Sequence, residues 1–348
     1  MFSIRRITTI LFIALAFHCA CLATVQATPL IQAIITRQDN TIPKLIKDSQ
    51  NLDAKDENGT TALIQAAKRG NVAIIKSLLD NGASIDIQDN EGDTALIVAA
   101  RQGYLKTMRT LVQYKANLHI HNKHGATPLI AAASNGFIEA GQYLMDMDKD
   151  KAFNTTNKQN ALLTVAFHGY YGTTEMLLQS GVNIETHDDH GRTPLLLAAR
   201  NGHTKTVNKL LDYKANLEAT SVQGWTALML AAQNNRPSTV EALINHKANI
   251  AATDTNQWQA LMWAARYGYL EVVNILLEHN ADANAIGINN VTPLILASFH
   301  GHAKIVQALL DRGADTTVKV AGENLNAYEI AEQGGKQAVM DILIKYPH

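Results

Sequence analysis

Gly70, Gly103, Gly136, Gly169, Gly202, Gly268, Gly301 and Gly334 fall on one ladder of 33-residue steps, and Asn235 fills its single gap. A strict period of that length means stacked copies of one supersecondary unit, each too small to bury its own apolar face and each sheltered by its neighbours. A second ladder carries Leu63, Leu96, Leu129, Leu162, Leu195, Leu228, Leu261 and Leu294, each preceded by Ala or Pro and usually by Thr. A third carries aliphatic pairs such as Leu78-Leu79, Leu177-Leu178, Leu210-Leu211, Leu276-Leu277 and Leu309-Leu310. The phase reads as unbroken, and ten units fit between Thr28 and Pro347. An array that grows in one dimension also explains how 348 residues fold without exceeding the size of a single core.

One unit shows why these residue types recur. Thr193 can cap a helix whose Pro194 sits in the first turn, where a missing N–H costs nothing. Leu195, Ala198 and Ala199 share one face, and the small alanines let neighbouring helices approach. Gly202 ends the helix by taking a left-handed conformation, and Asn235 suits the equivalent place because Asn tolerates that conformation best after Gly. A second helix from about Thr204 to Leu211 buries Val207, Leu210 and Leu211. Polar residues then form an extended loop or hairpin leading to the next unit. Pro237 falls in an opening helical turn, where proline is acceptable.

The pattern resembles the ankyrin repeat, whose signature T-P-L-H-x-A recurs every 33 residues. Thr28-Pro29-Leu30, Thr127-Pro128-Leu129, Thr193-Pro194-Leu195 and Thr292-Pro293-Leu294 carry it as it stands; Thr61-Ala62-Leu63, Thr94-Ala95-Leu96 and Thr226-Ala227-Leu228 carry it with Ala. One departure is consistent. The family's His is replaced by Ile64, Ile97, Ile130, Leu196, Met229, Met262 and Ile295, which implies that apolar packing takes over from hydrogen bonds between repeats. The resemblance implies an all-α ankyrin-repeat solenoid of about ten helix-turn-helix units joined by hairpin loops. We divide it into an N-terminal capping repeat (28–58), central repeats (59–322) and a C-terminal capping repeat (323–348). The last unit shows Leu325-Asn326-Ala327 where T-P-L is expected, with polar Glu329, Glu332 and Gln333. The unit near 150–180 is degenerate: Asp148-Lys149-Asp150-Lys151 replaces the usual turn and Asn160 replaces Thr, so a weaker seam, a bend or a specialised contact is expected there.

Residues 1–27 read as a cleaved export signal: Arg5 and Arg6, a short apolar stretch from Ile10 to Phe17, and the small-residue processing site Val25-Gln26-Ala27. The apolar run is interrupted by His18 and falls short of the roughly 20 residues that cross a bilayer, so an uncleaved anchor is the lesser alternative. Thr8 and Thr9 argue for the general secretory route over twin-arginine export. Both cysteines, Cys19 and Cys21, lie in this segment, so the mature chain would have no thiol for disulfides or metal. Processing would take two of the 30 basic residues and none of the 31 acidic ones, moving the net charge from −1 to −3. Basic residues do not run together, which sets nucleic acid aside as a partner.

Histidine is the residue type with a claim to metal or acid–base work. His119, His121 and His124 cluster in one loop, with His187 and His190 two repeats later, too far to share an ion; no acidic or thiol ligand is evident beside them, so no metal site is expected. His203 and His302 follow the helix-ending glycines and read as structural. Asp188-Asp189 lies in a turn. No phosphate loop, nucleophile elbow or HExxH motif is present, so the expectation is a binding protein and not an enzyme, with no cofactor.

The residues that the resemblance leaves free for partners are the hairpin tips and the positions around the alanine pair, on the concave side. All three tryptophans fall in two adjacent repeats. Trp225, Trp258, Trp263, Arg266, Tyr267, Phe299 and His300 form the candidate partner-binding surface, since Trp, Tyr and Arg most often dominate interface energies. The plainer alternative is that Trp263 fills a gap between helices while Trp225 and Trp258 stack on each other. We expect a monomer that binds a protein partner in the bacterial periplasm, as an immunity protein or a support factor for an envelope enzyme, without stable membrane insertion once the signal is removed. A secreted effector that binds a host protein is the alternative.

Overall fold

A computed structural model describes residues 28–149 and 151–346. The expected export signal at 1–27 lies outside the described residues, as does the chain from Pro347 at the end of the C-terminal capping repeat. The chain divides into two compact units between Asn154 and Thr155.

The first unit holds four helix pairs: α1 (Pro29–Ile35) with α2 (Ile42–Asp48), α3 (Ala62–Lys68) with α4 (Val72–Asp80), α5 (Ala95–Arg101) with α6 (Leu105–Gln113), and α7 (Pro128–Ala133) with α8 (Ile138–Met147). The second begins within α9 (Lys151–His168), which pairs with α10 (Tyr171–Gln179). It continues with α11 (Pro194–Asn201) and α12 (Thr204–Asp212), α13 (Ala227–Gln233) and α14 (Pro237–Asn245), and α15 (Ala260–Tyr267) and α16 (Leu270–Glu278). The last pairs are α17 (Pro293–His300) with α18 (Ala303–Leu310), and α19 (Ala327–Gln333) with α20 (Gln337–Leu343). Within each unit, first helices stack on first helices and second on second, as a repeat solenoid requires.

The local chemistry is as expected for most of the chain. Threonine caps the first helices: Thr61, Thr94, Thr127, Thr193, Thr226 and Thr292 each accept from the N–H three residues on. The alanine pairs Ala99-Ala100, Ala198-Ala199, Ala231-Ala232 and Ala264-Ala265 are fully buried. Ile64, Ile97, Leu196, Met229, Met262 and Ile295, which replace the expected His, are buried too; Ile130 is half-buried. Tip loops are tied by one backbone bond per step, such as Val222 N–H to the His190 carbonyl (3.0 Å), Thr255 to Gln223 (3.2 Å) and Ile288 to Asn256 (3.1 Å).

The residue after the helix-ending glycine, or after Asn235 in the same ladder, makes the seam at several repeats. His203 Nε2 donates to the Phe167 carbonyl (2.9 Å) and His302 Nε2 to that of Arg266 (3.1 Å), which gives both histidines the structural role read for them. Asn235 takes the left-handed conformation, with φ 53°.

Two expectations need correction. The phase is not unbroken. Gly287 N–H bonds the Val291 carbonyl four residues on, whereas Val320 N–H reaches Leu325, five residues on, so one extra residue sits in the loop 321–324. Every later landmark is displaced by one: the left-handed residue of the last repeat is Gly335 (φ 63°), and Gly334 is right-handed. The signature is therefore shifted, not lost. Asn326 stands in place of Thr and caps α19, and Glu329 returns the bond to the Asn326 N–H at 2.7 Å in a capping box. The second correction is at the degenerate repeat, where an 18-residue helix, α9, occupies the span of the expected hairpin and short helix, with Asn160 in its interior. Upstream of it Asp148 accepts from His119 Nε2 at 3.0 Å, so a carboxylate does accompany that histidine. This is a specialised contact between adjacent repeats of the kind the sequence left open.

Candidate functional site

Stacking sets equivalent residues of successive repeats side by side, so a surface is best followed row by row. The row Thr60, Asp93, Ala126, Arg192 becomes Trp225, Trp258, Val291 in the later repeats. The tip row changes at the same place, from Glu57, Asn90, Lys123 and Asp189 to Val222, Thr255, Ile288 and Ala321. Val222 is 69% exposed and Ile288 45%. The whole of this apolar region lies in the second unit.

Trp263, on α15, is at its centre. It is only 8% exposed, with its ring 5.0 Å from that of Trp225, 4.7 Å from Trp258 and 6.2 Å from Tyr267, the last nearly parallel. Its indole N–H donates to Asp254 Oδ2 (3.1 Å), and Asp254 Oδ1 accepts from the N–H groups of Asn256 and Trp258 (2.8 and 2.9 Å). One carboxylate thus shapes the turn and orients the buried indole. Trp225 and Trp258 each pack on Trp263, which fills the space between repeats as the plainer alternative had it and holds two half-buried indoles in place. Tyr267, 44% exposed, extends the stack to Tyr269.

Arg266 lies over Trp258 and Tyr267, its Cζ 5.4 and 5.9 Å from the ring centroids. Its equivalent five repeats earlier in the chain, Arg101, is clamped in a two-pronged pair with Asp93 at 2.5 and 2.6 Å. Trp258 stands in the Asp93 row, so the same arginine position has exchanged a carboxylate for a ring. Arg266 has no carboxylate within ion-pair distance among the described residues.

Beyond Trp258 the apolar path continues through Met262, Ala285, Val291 and Leu296. It opens into a cleft of about 560 Å³ lined by Leu296, Phe299 and Ile330, and also by His300, Lys336 and Glu323 of the enlarged loop. Phe299 is 60% exposed and meets His300 edge-on at 5.0 Å. Partial burial first, and then the neighbouring Arg266, His302 and Lys336, lower the His300 imidazole from its ordinary value and so favour its neutral form. All seven sequence-selected residues therefore lie on this one surface, Trp263 as its buried anchor and the others partly or well exposed.

Sequence reasoning missed the residues that give up local rules to make room for it. Turn-shaping Asp, Asn or Ser stands at Asp56, Asp89, Asn122, Asp188, Ser221 and Asp254, but the next rung is Gly287. A Cβ there would come within 2.6 Å of the Trp258 ring and 2.9 Å of Met262. Gln259 replaces the capping Thr of α15, makes no cap, and buries an Oε1 without a partner. Both breaks were legible as gaps in their ladders. Gln259→Thr is expected to restore the cap and raise stability by about 1 kcal/mol, a melting shift of about 2–4 °C by circular dichroism.

No group of three or more His, Cys, Asp or Glu among the described residues is placed to share a metal ion, and no described helix is long and apolar enough to cross a membrane. A family model of ankyrin repeats, three copies in length, matches overlapping segments 8–89, 30–122, 65–155, 113–188, 147–221, 214–287 and 252–320. No curated protein matches the chain.

Proposed function

Because the chain belongs to the ankyrin-repeat family, whose repeats generally mediate protein–protein interaction, we propose that it is a non-enzymatic scaffold that holds a partner protein on the surface from Val222 to Lys336. The observation that carries this reading is the coincidence of an aromatic platform with broken structural rules. Gly287 and Gln259 forgo a turn and a cap where Trp258 and Trp263 assemble, and such local sacrifices collect at functional sites. A row of tryptophans under an arginine supplies large rigid area with polar handles, the composition of interface hot spots. The N-terminal segment supports export, and we assign the protein to the bacterial periplasm, as an immunity protein or a support factor for an envelope enzyme. Cell fractionation tests that assignment: recovery from the medium or from host cells, with none in the periplasm, would favour a secreted effector.

The binding surface is tested by the double variant Trp225→Ala/Trp258→Ala. Both rings are half-exposed, so the repeats should still fold, with a modest fall in melting temperature. Partner recovered by affinity purification from the exporting cell should drop by about tenfold or more, as for loss of hot-spot residues. Undiminished recovery by a folded variant would refute the assignment of this surface.

A further inference from the structure

The binding reading above leaves the chemistry of the partner open, and the cleft beside Phe299 addresses it. We propose that this cleft and the cations beside it recognise an acidic segment of the partner, seating one bulky apolar side chain in the cleft and setting a neighbouring carboxylate against Arg266 and Lys336.

The argument is one of shape and charge complementarity. A volume of about 560 Å³ with Leu296, Phe299 and Ile330 in its wall accepts a large aliphatic or aromatic side chain, while the polar groups that also line it suit a polar neighbour of that side chain. Lys336 lines it, and the charges of Lys336 and Arg266 are both felt at His300 in its wall. Neither has an ion-pair partner among the described residues. Arg266 is held by the rings of Trp258 and Tyr267, where its counterpart Arg101 is neutralised by Asp93. The stem of Lys336 lies against Gly301, where a Cβ would be 3.0 Å from Lys336 Cδ, so the ammonium is delivered from a fixed base. His300 offers a further hydrogen-bonding group in the cleft lining. Glu323 is the one acidic residue lining the cleft, and it would repel a second carboxylate, which favours a segment whose acid lies to one side of its apolar anchor. With a whole-chain net charge of −1, this attraction is local and does not extend to polyanions in general.

The test is selection of random displayed dodecapeptides on the full-length folded chain. Enriched peptides should share a large apolar residue within about three positions of Asp or Glu. The charge-reversed variant Arg266→Glu/Lys336→Glu should weaken those peptides by at least about tenfold and enrich Lys or Arg beside the apolar residue in their place. Phe299→Ala should weaken both classes while preserving the charge preference. Melting curves establish that each variant is folded. Enrichment without acidic residues, a preference indifferent to charge reversal, or no enrichment at all would overturn the proposal. If the native partner is still captured, and is lost from Trp225→Ala/Trp258→Ala, the scaffold reading survives that failure.

Discussion

Replacing Trp263 with alanine should destabilise the second unit by about 3–5 kcal/mol, the range for truncating a large buried aromatic. The size of the effect follows from what the indole touches. It is 8% exposed, packs against three other rings, and satisfies Asp254 Oδ2. Its removal leaves a cavity between repeats and a carboxylate oxygen without that donor, while Trp225 and Trp258 lose their common support. Denaturant unfolding followed by circular dichroism measures the loss, and the emission of the two remaining tryptophans should shift to the red in the folded baseline. A fall below about 1 kcal/mol would mean that the surrounding repeats close over the gap and that the platform does not depend on its centre. Trp258→Ala, with a half-exposed ring, should cost less than Trp263→Ala.

Gly268→Ala is the second large effect, expected at about 2–5 kcal/mol from left-handed strain and overpacking together. Gly268 has φ 81°, and a Cβ built on it would lie 2.6 Å from the His302 ring that bonds the Arg266 carbonyl. The substitution is thus opposed twice, once by its own backbone and once by the next repeat. Gly313 makes the control. Its φ of 78° is almost the same, but nothing lies within 4 Å of the added atom, so Gly313→Ala should cost only the strain, about 1–2 kcal/mol. Equal losses in the two variants would show that the seam yields freely and that backbone conformation alone explains the glycine ladder.

That ladder was the most legible part of the chain, because one residue type per 33 answers one steric demand and leaves a visible trace. The threonine caps and buried alanines were legible for the same reason. What escaped was whatever depends on a neighbour with no periodic echo. The pairing of Asp148 with His119 joins two residues 29 apart in sequence, in a repeat whose own signature has decayed. The extra residue near 321–324 was hidden because two adjacent glycines, Gly334 and Gly335, let the ladder appear to continue while the fold uses the second. In the candidate site, the sequence brought forward the large side chains by their rarity. It could not show that Trp263 is buried beneath the other two, nor that Asp254 orients it, because those roles depend on which face of a turn each group occupies.

The displaced last repeat also bears on how such an array can change. Unequal exchange between repeats adds or removes whole periods, and anywhere upstream of residue 321 within the 33-residue phase it leaves the remaining tips in step. A repeat copied into this place from one upstream would arrive a residue short in its tip loop. It would lack the enlarged loop that brings Glu323 to the cleft. The repeat after residue 321 is therefore a part that duplication of an upstream repeat cannot supply ready-made; it must be inherited as it is or altered again after each exchange.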